Sequence, residues 1–345
     1  MKKIAFNLIV ASLLYAATPA LAGDSAVLLD KDVAVGENTP SDFFSLSEIK
    51  TAPQTTIPSL DYVAASDDEK LALRAYLPSD PKAVVIFYHG AGAHSGLIYP
   101  HVGAGLRDEF NIAVFTPDLR GHGSSSGPRG DAPDKEQVWQ DINSVIEYAR
   151  QRYPSLPLYM AGHSSGSGLI LNYSSWDQHA SVDGYFFIAP YFGFRSETDH
   201  DEPKPFSFST VSVSSFVTNA MSGGLLMGHS KAVQYHFPQQ VLDDNPKIVS
   251  FNTVNMSNAL TPEAPDEQLA QLQRYDLWIG DKDEAFDANK VIAFAEANPP
   301  QYAAHTLQKV TNENHFSILL NAHQYIGNSI LDRLKASEID VKKQK

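Results

Sequence analysis

The chain has 345 residues, 43% hydrophobic and 19% charged, which is enough for one large or two small globular domains. Its formal net charge of −14 argues against nucleic acid as a partner, since that work needs basic patches, and disfavours adsorption to anionic lipid. Cysteine is absent, so no disulfide supports the fold and an apolar core must hold it.

The first residues carry a positive pair, Lys2 and Lys3, then an apolar run over 4–17, then the small-residue step Ala20-Leu21-Ala22. That order reads as a secretory signal peptide over 1–22, cut after Ala22, because the apolar run is too short to span a bilayer. It implies a bacterial periplasmic or secreted protein, with no integral membrane segment once the signal is removed. Residues 23–56 mix Asp, Ser and Pro without a period and read as an N-terminal arm.

From residue 57 the pattern changes. Runs at 60–65 and 71–77 suggest an antiparallel hairpin turned by Ser66-Asp67-Asp68-Glu69-Lys70. The continuous apolar run at 83–88 suits a central parallel strand buried on both faces. A helix is expected near 101–109 and a strand at 112–116. An amphipathic helix is expected at 137–151, where Val138, Ile142, Val145, Ile146 and Ala149 recur at helical spacing. A strand at 156–161 leads into Gly162-His163-Ser164-Ser165-Gly166 and a helix beyond it. Strands follow at 182–188, 274–279 and 305–310, with helices at 289–297 and 316–337.

This repeated alternation predicts an α/β fold, a mostly parallel central sheet with helices on both faces, built from 57–190 and 261–338. Sites in such sheets lie at the carboxyl ends of the strands. Residues 191–260 break the alternation. A charged stretch over 197–204 is followed by Phe206, Phe208, Phe216, Leu225, Leu226, Met227, Tyr235 and Phe237. The segment is too long for a loop and too irregular for a β-α unit, and reads as a cap inserted over the strand ends.

Four segments carry chemistry. Gly162-His163-Ser164-Ser165-Gly166 is G-x-S-x-G between a strand and a helix, where a sharp turn lifts the Ser164 hydroxyl above the sheet. A serine hydroxyl needs a base, and the base needs an acid to orient it. The loop after the 274–279 strand offers Asp281, Asp283, Glu284 and Asp287 as acids, with Asp276 less suited inside the strand. The loop after the next strand offers His315, at a turn into a helix, ahead of His305 and His323. An oxyanion needs two N–H donors. One is the backbone of Ser165, and the other comes from the Gly-rich loop His89-Gly90-Ala91-Gly92-Ala93-His94-Ser95-Gly96. A phosphate cradle is disfavoured because no G-K-[ST] and no G-x-G-x-x-G fit. His89 with His94, and His200 among Asp199, Asp201 and Glu202, lack metal-site spacing and read as turn and surface residues, leaving no metal site.

Together these segments resemble the monoacylglycerol lipase and lysophospholipase group of α/β-hydrolases over most of the chain beyond the signal. The 87–96 run resembles that group's oxyanion loop. Pro117-Asp118-Leu119-Arg120-Gly121-His122-Gly123-Ser124-Ser125 resembles its D-x-R-G-H-G-x-S turn, and 162–166 its nucleophile elbow. The resemblance implies Ser164 as nucleophile, His315 as base, Asp283 as acid through a G-x-x-D arrangement, Ala91 and Ser165 as oxyanion donors, and no cofactor. It implies a serine ester hydrolase acting on lipid-like esters through an acyl-enzyme. A small-ester esterase or peptidase on the same fold, or a catalytically inert binding protein, are the competing readings. Members often carry Met after the nucleophile, where this chain has Ser165, and the 191–260 segment matches the group weakly.

Overall fold

Runs that are apolar throughout become the central strands: β3 (Ala83–Tyr88), β4 (Ile112–Pro117), β5 (Leu158–His163), β6 (Gly184–Ile188) and β10 (Tyr275–Gly280) are buried at every position. Strands covered on both faces require this. The flanking strands β1 (Leu60–Ala64), β2 (Lys70–Tyr76) and β11 (Leu307–Val310) mix buried and exposed positions, as an edge facing water allows. The computed structural model describes residues 52–53, 55–201, 207–300 and 305–343, with side chains as far as 337. The expected signal peptide, the expected N-terminal arm as far as 51, and Glu202, Lys204 and Phe206 lie outside the described residues. Those described belong to one compact unit running from Pro40 to the end of the chain.

The eight strands lie in the order β1-β2-β4-β3-β5-β6-β10-β11. From β4 to β11 they are parallel, while β2 pairs antiparallel with both β1 and β4. The period of two along each strand sends alternate residues to opposite layers. Val84, Ile86 and Tyr88 of β3 join one core with Val138, Ile142 and Val145 of α2 (Lys135–Arg152) and Leu169 and Ile170 of α3 (Ser165–Ser174). Val85 and Phe87 join the other, with Val102 and Leu106 of α1 (Pro100–Phe110) and Ile318, Ala322 and Ile326 of the last helix (Ile318–Lys343). This is the α/β-hydrolase architecture expected of the sequence.

Local chemistry sets the helix ends. Asp134 caps α2 by accepting the Gln137 N–H at 2.7 Å, a contact worth about 1 kcal/mol. Asn314 accepts the N–H groups of Phe316 and Ser317, so regular helix begins two residues later than the apolar pattern suggests. His305 precedes β11 and packs its ring on Tyr275 at 5.3 Å.

The described residues of 191–260 add no strand to the main sheet. They form their own antiparallel sheet from β7 (Ser209–Val211), β8 (Lys231–Tyr235) and β9 (Phe251–Thr253), with α4 (Val213–Met221) and α5 (Gln239–Asp244). Their last helix, α6 (Val254–Leu260), is sunk into the main core through Met256, Ala259 and Leu260. Trp139 Nε1 donates to the Ala259 carbonyl at 3.2 Å, and Asn172 Nδ2 to the Asn258 carbonyl at 3.0 Å. The short α7 (Pro265–Gln271), which the sequence pattern does not announce, follows at once. It starts on a proline, whose missing N–H costs nothing at the first helical position. After it come α8 (Ala288–Ala297) and α9 (Ile318–Lys343). No helix among the described residues is long and apolar enough to cross a membrane.

The order in which strands are added to the sheet reverses at β3, while the strands stay parallel. The sequence successor of β3, β4, lies on one side and β5 on the other, so a crevice opens beyond the carboxyl ends of β3 and β5. The 89–96 loop and Ser164 both lie there.

Candidate active site

The turn after β5 is held by what its glycines lack. A Cβ on Gly162 would stand 2.4 Å from the Gly166 carbonyl oxygen, and one on Gly166 would stand 2.5 Å from the Tyr88 carbonyl oxygen. The backbone therefore folds tightly enough to force Ser164 to φ 54° and ψ −123°. Such a conformation costs on the order of 1–3 kcal/mol and persists only where the surroundings over-determine it. They do: the Ser164 N–H donates to the Ile188 carbonyl at 3.1 Å, and the Ser164 carbonyl accepts from Tyr191 at 3.1 Å and Ser167 at 3.0 Å. Ser165 is the first residue of α3, so its N–H has no partner within the helix and lies at the positive end of the helix dipole. Ser164, Ser165 and Ala91 all line one cavity.

The loop after β10 and the turn before α9 supply a carboxylate and an imidazole to the same place. Asp283 Oδ1 accepts the N–H groups of Ala285 and Phe286, each at 2.8 Å, and Oδ2 accepts from His315 Nδ1 at 2.9 Å. Both residues are buried, and His315 lines the cavity that Ser164 lines. With Nδ1–H committed to Asp283, Nε2 is the basic nitrogen of the ring. The other carboxylates of the region are engaged elsewhere. Asp281 accepts the Asn312 N–H, Asp287 caps α8, and Asp276 binds Arg333 and Ser329. Glu284 accepts the backbone N–H of His315 at 3.0 Å rather than its ring. His323 faces Glu109.

Two residues to which the sequence assigns no role, Tyr99 and His163, tie these loops together. The Gly90 N–H donates to the Tyr99 hydroxyl at 2.8 Å, which reaches His163 Nδ1 at 3.1 Å, and His163 Nε2 reaches the His315 carbonyl at 2.9 Å. A carbonyl only accepts, so Nε2 carries the proton and Nδ1 accepts from Tyr99. This needs a neutral ring, and burial pushes the His163 imidazole well below its ordinary range. His163 and Tyr99 carry no sequence signal, since the middle positions of G-x-S-x-G are unrestricted. Glu284 is legible in the sequence only as a rival acid.

The 117–125 turn braces the 89–96 loop. Asp118 Oδ1 accepts the Ser95 N–H at 2.6 Å and Oδ2 the Ser124 N–H at 2.8 Å. Arg120, 2% exposed, forks onto Asp141 and Asp67. The surface roles expected of His89 and His94 are corrected here: both are buried. His89 Nε2 accepts the Leu119 N–H at 3.1 Å while Nδ1 donates to the Gly90 carbonyl, so the ring is a brace between the two loops. Burial lowers the His89 imidazole and takes His94 down to about 4. His200, half-buried, lines the cavity and places Nε2 3.1 Å from the Asp283 carbonyl. No group of three or more His, Cys, Asp or Glu among the described residues is placed to hold a metal ion.

The cavity has a volume of about 720 Å³. Leu97, Ile98 and Phe316 from the core, and Phe194, Phe208, Val233, Tyr235 and Phe237 from 191–260, line it with Ser164 and His315. Of the apolar residues that set 191–260 apart in the sequence, Phe208, Tyr235 and Phe237 line the cavity, whereas Leu225 and Leu226 are 88% and 57% exposed.

A family model described as Hydrolase_4, serine aminopeptidase S33, matches residues 79–249. Human monoglyceride lipase is 30% identical over 147 residues, 41% of this chain and 48% of that one. The monoacylglycerol lipase of Mycolicibacterium smegmatis is 34% identical over 97 residues, 28% of this chain and 34% of that one. The chain thus spans less than half the length of these curated relatives. In three dimensions it is similar to a soluble variant of Saccharomyces cerevisiae monoglyceride lipase in complex with a substrate analog. The TM-score is 0.59 at 18% identity, covering 82% of this chain and 98% of that one. It is also similar to Est1E from Butyrivibrio proteoclasticus with bound ferulic acid, at TM-score 0.55 and 18% identity, covering 80% and 99%. At such identities the structural likeness speaks for the fold.

Proposed function

We propose that this chain, which has the α/β-hydrolase fold and is similar in sequence to monoacylglycerol lipases, is a serine hydrolase of carboxylic esters with an apolar acyl group. One observation carries the reading. A serine held at a strained turn shares a cavity with a histidine whose Nδ1 is bound to a buried carboxylate. That combination is what an otherwise weak hydroxyl nucleophile requires.

In the proposed reaction Ser164 Oγ attacks the ester carbonyl while His315 Nε2 takes its proton. Asp283 keeps Nδ1 protonated and stabilises the imidazolium that results. Charge developing on the carbonyl oxygen is met by the N–H groups of Ala91 and Ser165, helped by the positive end of α3. His315 then returns the proton to the departing alcohol. Water, activated by His315 in the same way, cleaves the acyl-enzyme. Residues 191–260 act as a cap, with Phe208, Tyr235 and Phe237 set to take the acyl chain. No step in this sequence calls for a cofactor.

The substrate class is tested with p-nitrophenyl esters of rising chain length beside an aminoacyl amide panel. We expect kcat/KM to rise from acetate towards medium or long acyl chains, because each methylene that the apolar wall takes up strengthens transition-state binding by about 1–3 kcal/mol. Turnover confined to short chains would move the assignment to a small-ester esterase. Turnover of the amides alone would move it to a peptidase, the activity in the description of the matching family model.

The 1–22 sequence supports a further proposal, that the protein is exported to the periplasm or beyond. Expression in a Gram-negative host with fractionation tests it. The expected result is a mature chain outside the cytoplasm whose N-terminal sequence begins at Gly23, whereas an intact Met1 in the cytoplasm would refute it.

A further inference from the structure

Ionisable side chains hold the peptide of His315 from both sides. Its N–H donates to Glu284 Oε2 at 3.0 Å, and its carbonyl accepts from His163 Nε2 at 2.9 Å. The proposed reaction uses Asp283 on the ring and has no task for the carboxylate beside it. Glu284 is nevertheless half-buried in the loop after β10, with Asp283 and the His315 ring as its electrostatic neighbours. Withdrawing a carboxylate from water is costly unless something binds it. Here the backbone of the expected base binds it. We infer that Glu284 is a positioning residue for His315, fixing its peptide and placing a second negative charge beside the imidazolium formed during acyl transfer. The inference rests on the serine-hydrolase reading.

The surroundings let that charge be felt. The rings of Phe286 and Phe316 flank the imidazole at 5.5 and 5.3 Å and limit screening by water. Among the described residues, other titratable groups face it from the elements packed against it. Asp283 holds Nδ1, and His163, with ring centroids 4.8 Å apart, is kept neutral by burial. From 191–260, His200 touches the Asp283 carbonyl, and the exposed Asp199 lines the same cavity. Ahead of α9, the Glu313 carboxylate is taken up by Ser317 and Asn321. Burial pushes the Glu284 carboxyl up from its ordinary range, while the His315 N–H and the charge on His315 draw it down.

Glu284→Gln keeps an oxygen for the His315 N–H and removes only the charge. The test is kcat/KM for p-nitrophenyl butyrate between pH 5 and 9. The acid limb of Glu284→Gln should move to lower pH by roughly half a unit to one unit, because a neighbouring negative charge that favours the imidazolium has been lost. kcat should fall several-fold with KM unchanged. Glu284→Asp, which keeps the charge, should restore the limb, and Glu284→Ala reads the same shift should the amide fail to fold. A limb that superimposes on that of the parent overturns the inference. NMR titration of the His315 ring protons gives the same comparison without turnover. A shifted ring titration in a protein with no Ser164-dependent hydrolysis therefore supports Glu284 while counting against the hydrolase reading.

Discussion

Ser164→Ala is expected to lower kcat for ester hydrolysis by roughly 10⁶-fold, the loss seen when the nucleophile of a serine triad is removed. Fold stability should barely change. Alanine keeps the same Cβ, and the φ of 54° at this position is imposed by the flanking glycines rather than by the hydroxyl. Urea unfolding of both proteins checks the second half of the expectation. Steady-state turnover, with labelling by a fluorophosphonate probe, checks the first. Labelling that persists in the mutant would show that another residue is the nucleophile, and failure of the parent to label would favour an inert binding protein. The residual rate has meaning too. If Ala91 and Ser165 supply the oxyanion donors, the mutant should stay measurably above the uncatalysed rate, since those donors do not depend on the hydroxyl.

Gly166→Ala should damage stability and catalysis together. The added methyl would stand 2.5 Å from the Tyr88 carbonyl oxygen and 2.6 Å from that of His89, and neither is the far end of a flexible side chain. Either α3 moves away from β3 or the 89–96 loop moves away from the elbow. Overpacking of this kind costs about 1–3 kcal/mol, and a shift near 1 Å at reacting groups costs about 10²-fold in rate. The urea midpoint and kcat/KM measure the two effects. A variant with parental stability and activity would mean that the elbow is looser than its geometry indicates.

The elbow, its helix and the buried strands are legible because each leaves a local trace in the sequence. A strand buried on both faces must be apolar at every position, as Val84 to Phe87 are. A turn that admits no Cβ must use glycine at 162 and 166. Asp283 is less legible. Asp281, Glu284 and Asp287 lie within a few residues of it, and spacing alone does not say which side chain turns inward. The structure separates them by partner: a backbone N–H for Asp281, a helix cap for Asp287, the His315 peptide for Glu284 and the His315 ring for Asp283. His89 and His94 read as surface residues because isolated polar residues in a turn usually face water. Here both are buried, and the hydrogen bonds that a buried imidazole needs come from the Leu119 N–H and the Gly90 carbonyl for His89 and from the Gly96 N–H for His94.

By itself, the sequence determined the α/β alternation, the strained serine turn and the order in which serine, acid and histidine follow one another. All of these are matters of residue type and short-range spacing, which covalent geometry and burial enforce locally. Only the tertiary structure decided the rest. It bound Asp283 to the His315 ring from 32 residues away and ran the Gly90–Tyr99–His163–His315 hydrogen bonds between three loops. It also placed some apolar residues of 191–260 in a cavity wall and left others exposed. These depend on where distant segments meet, and a hydrogen bond or a cavity wall between such segments leaves no periodicity in the chain that forms it.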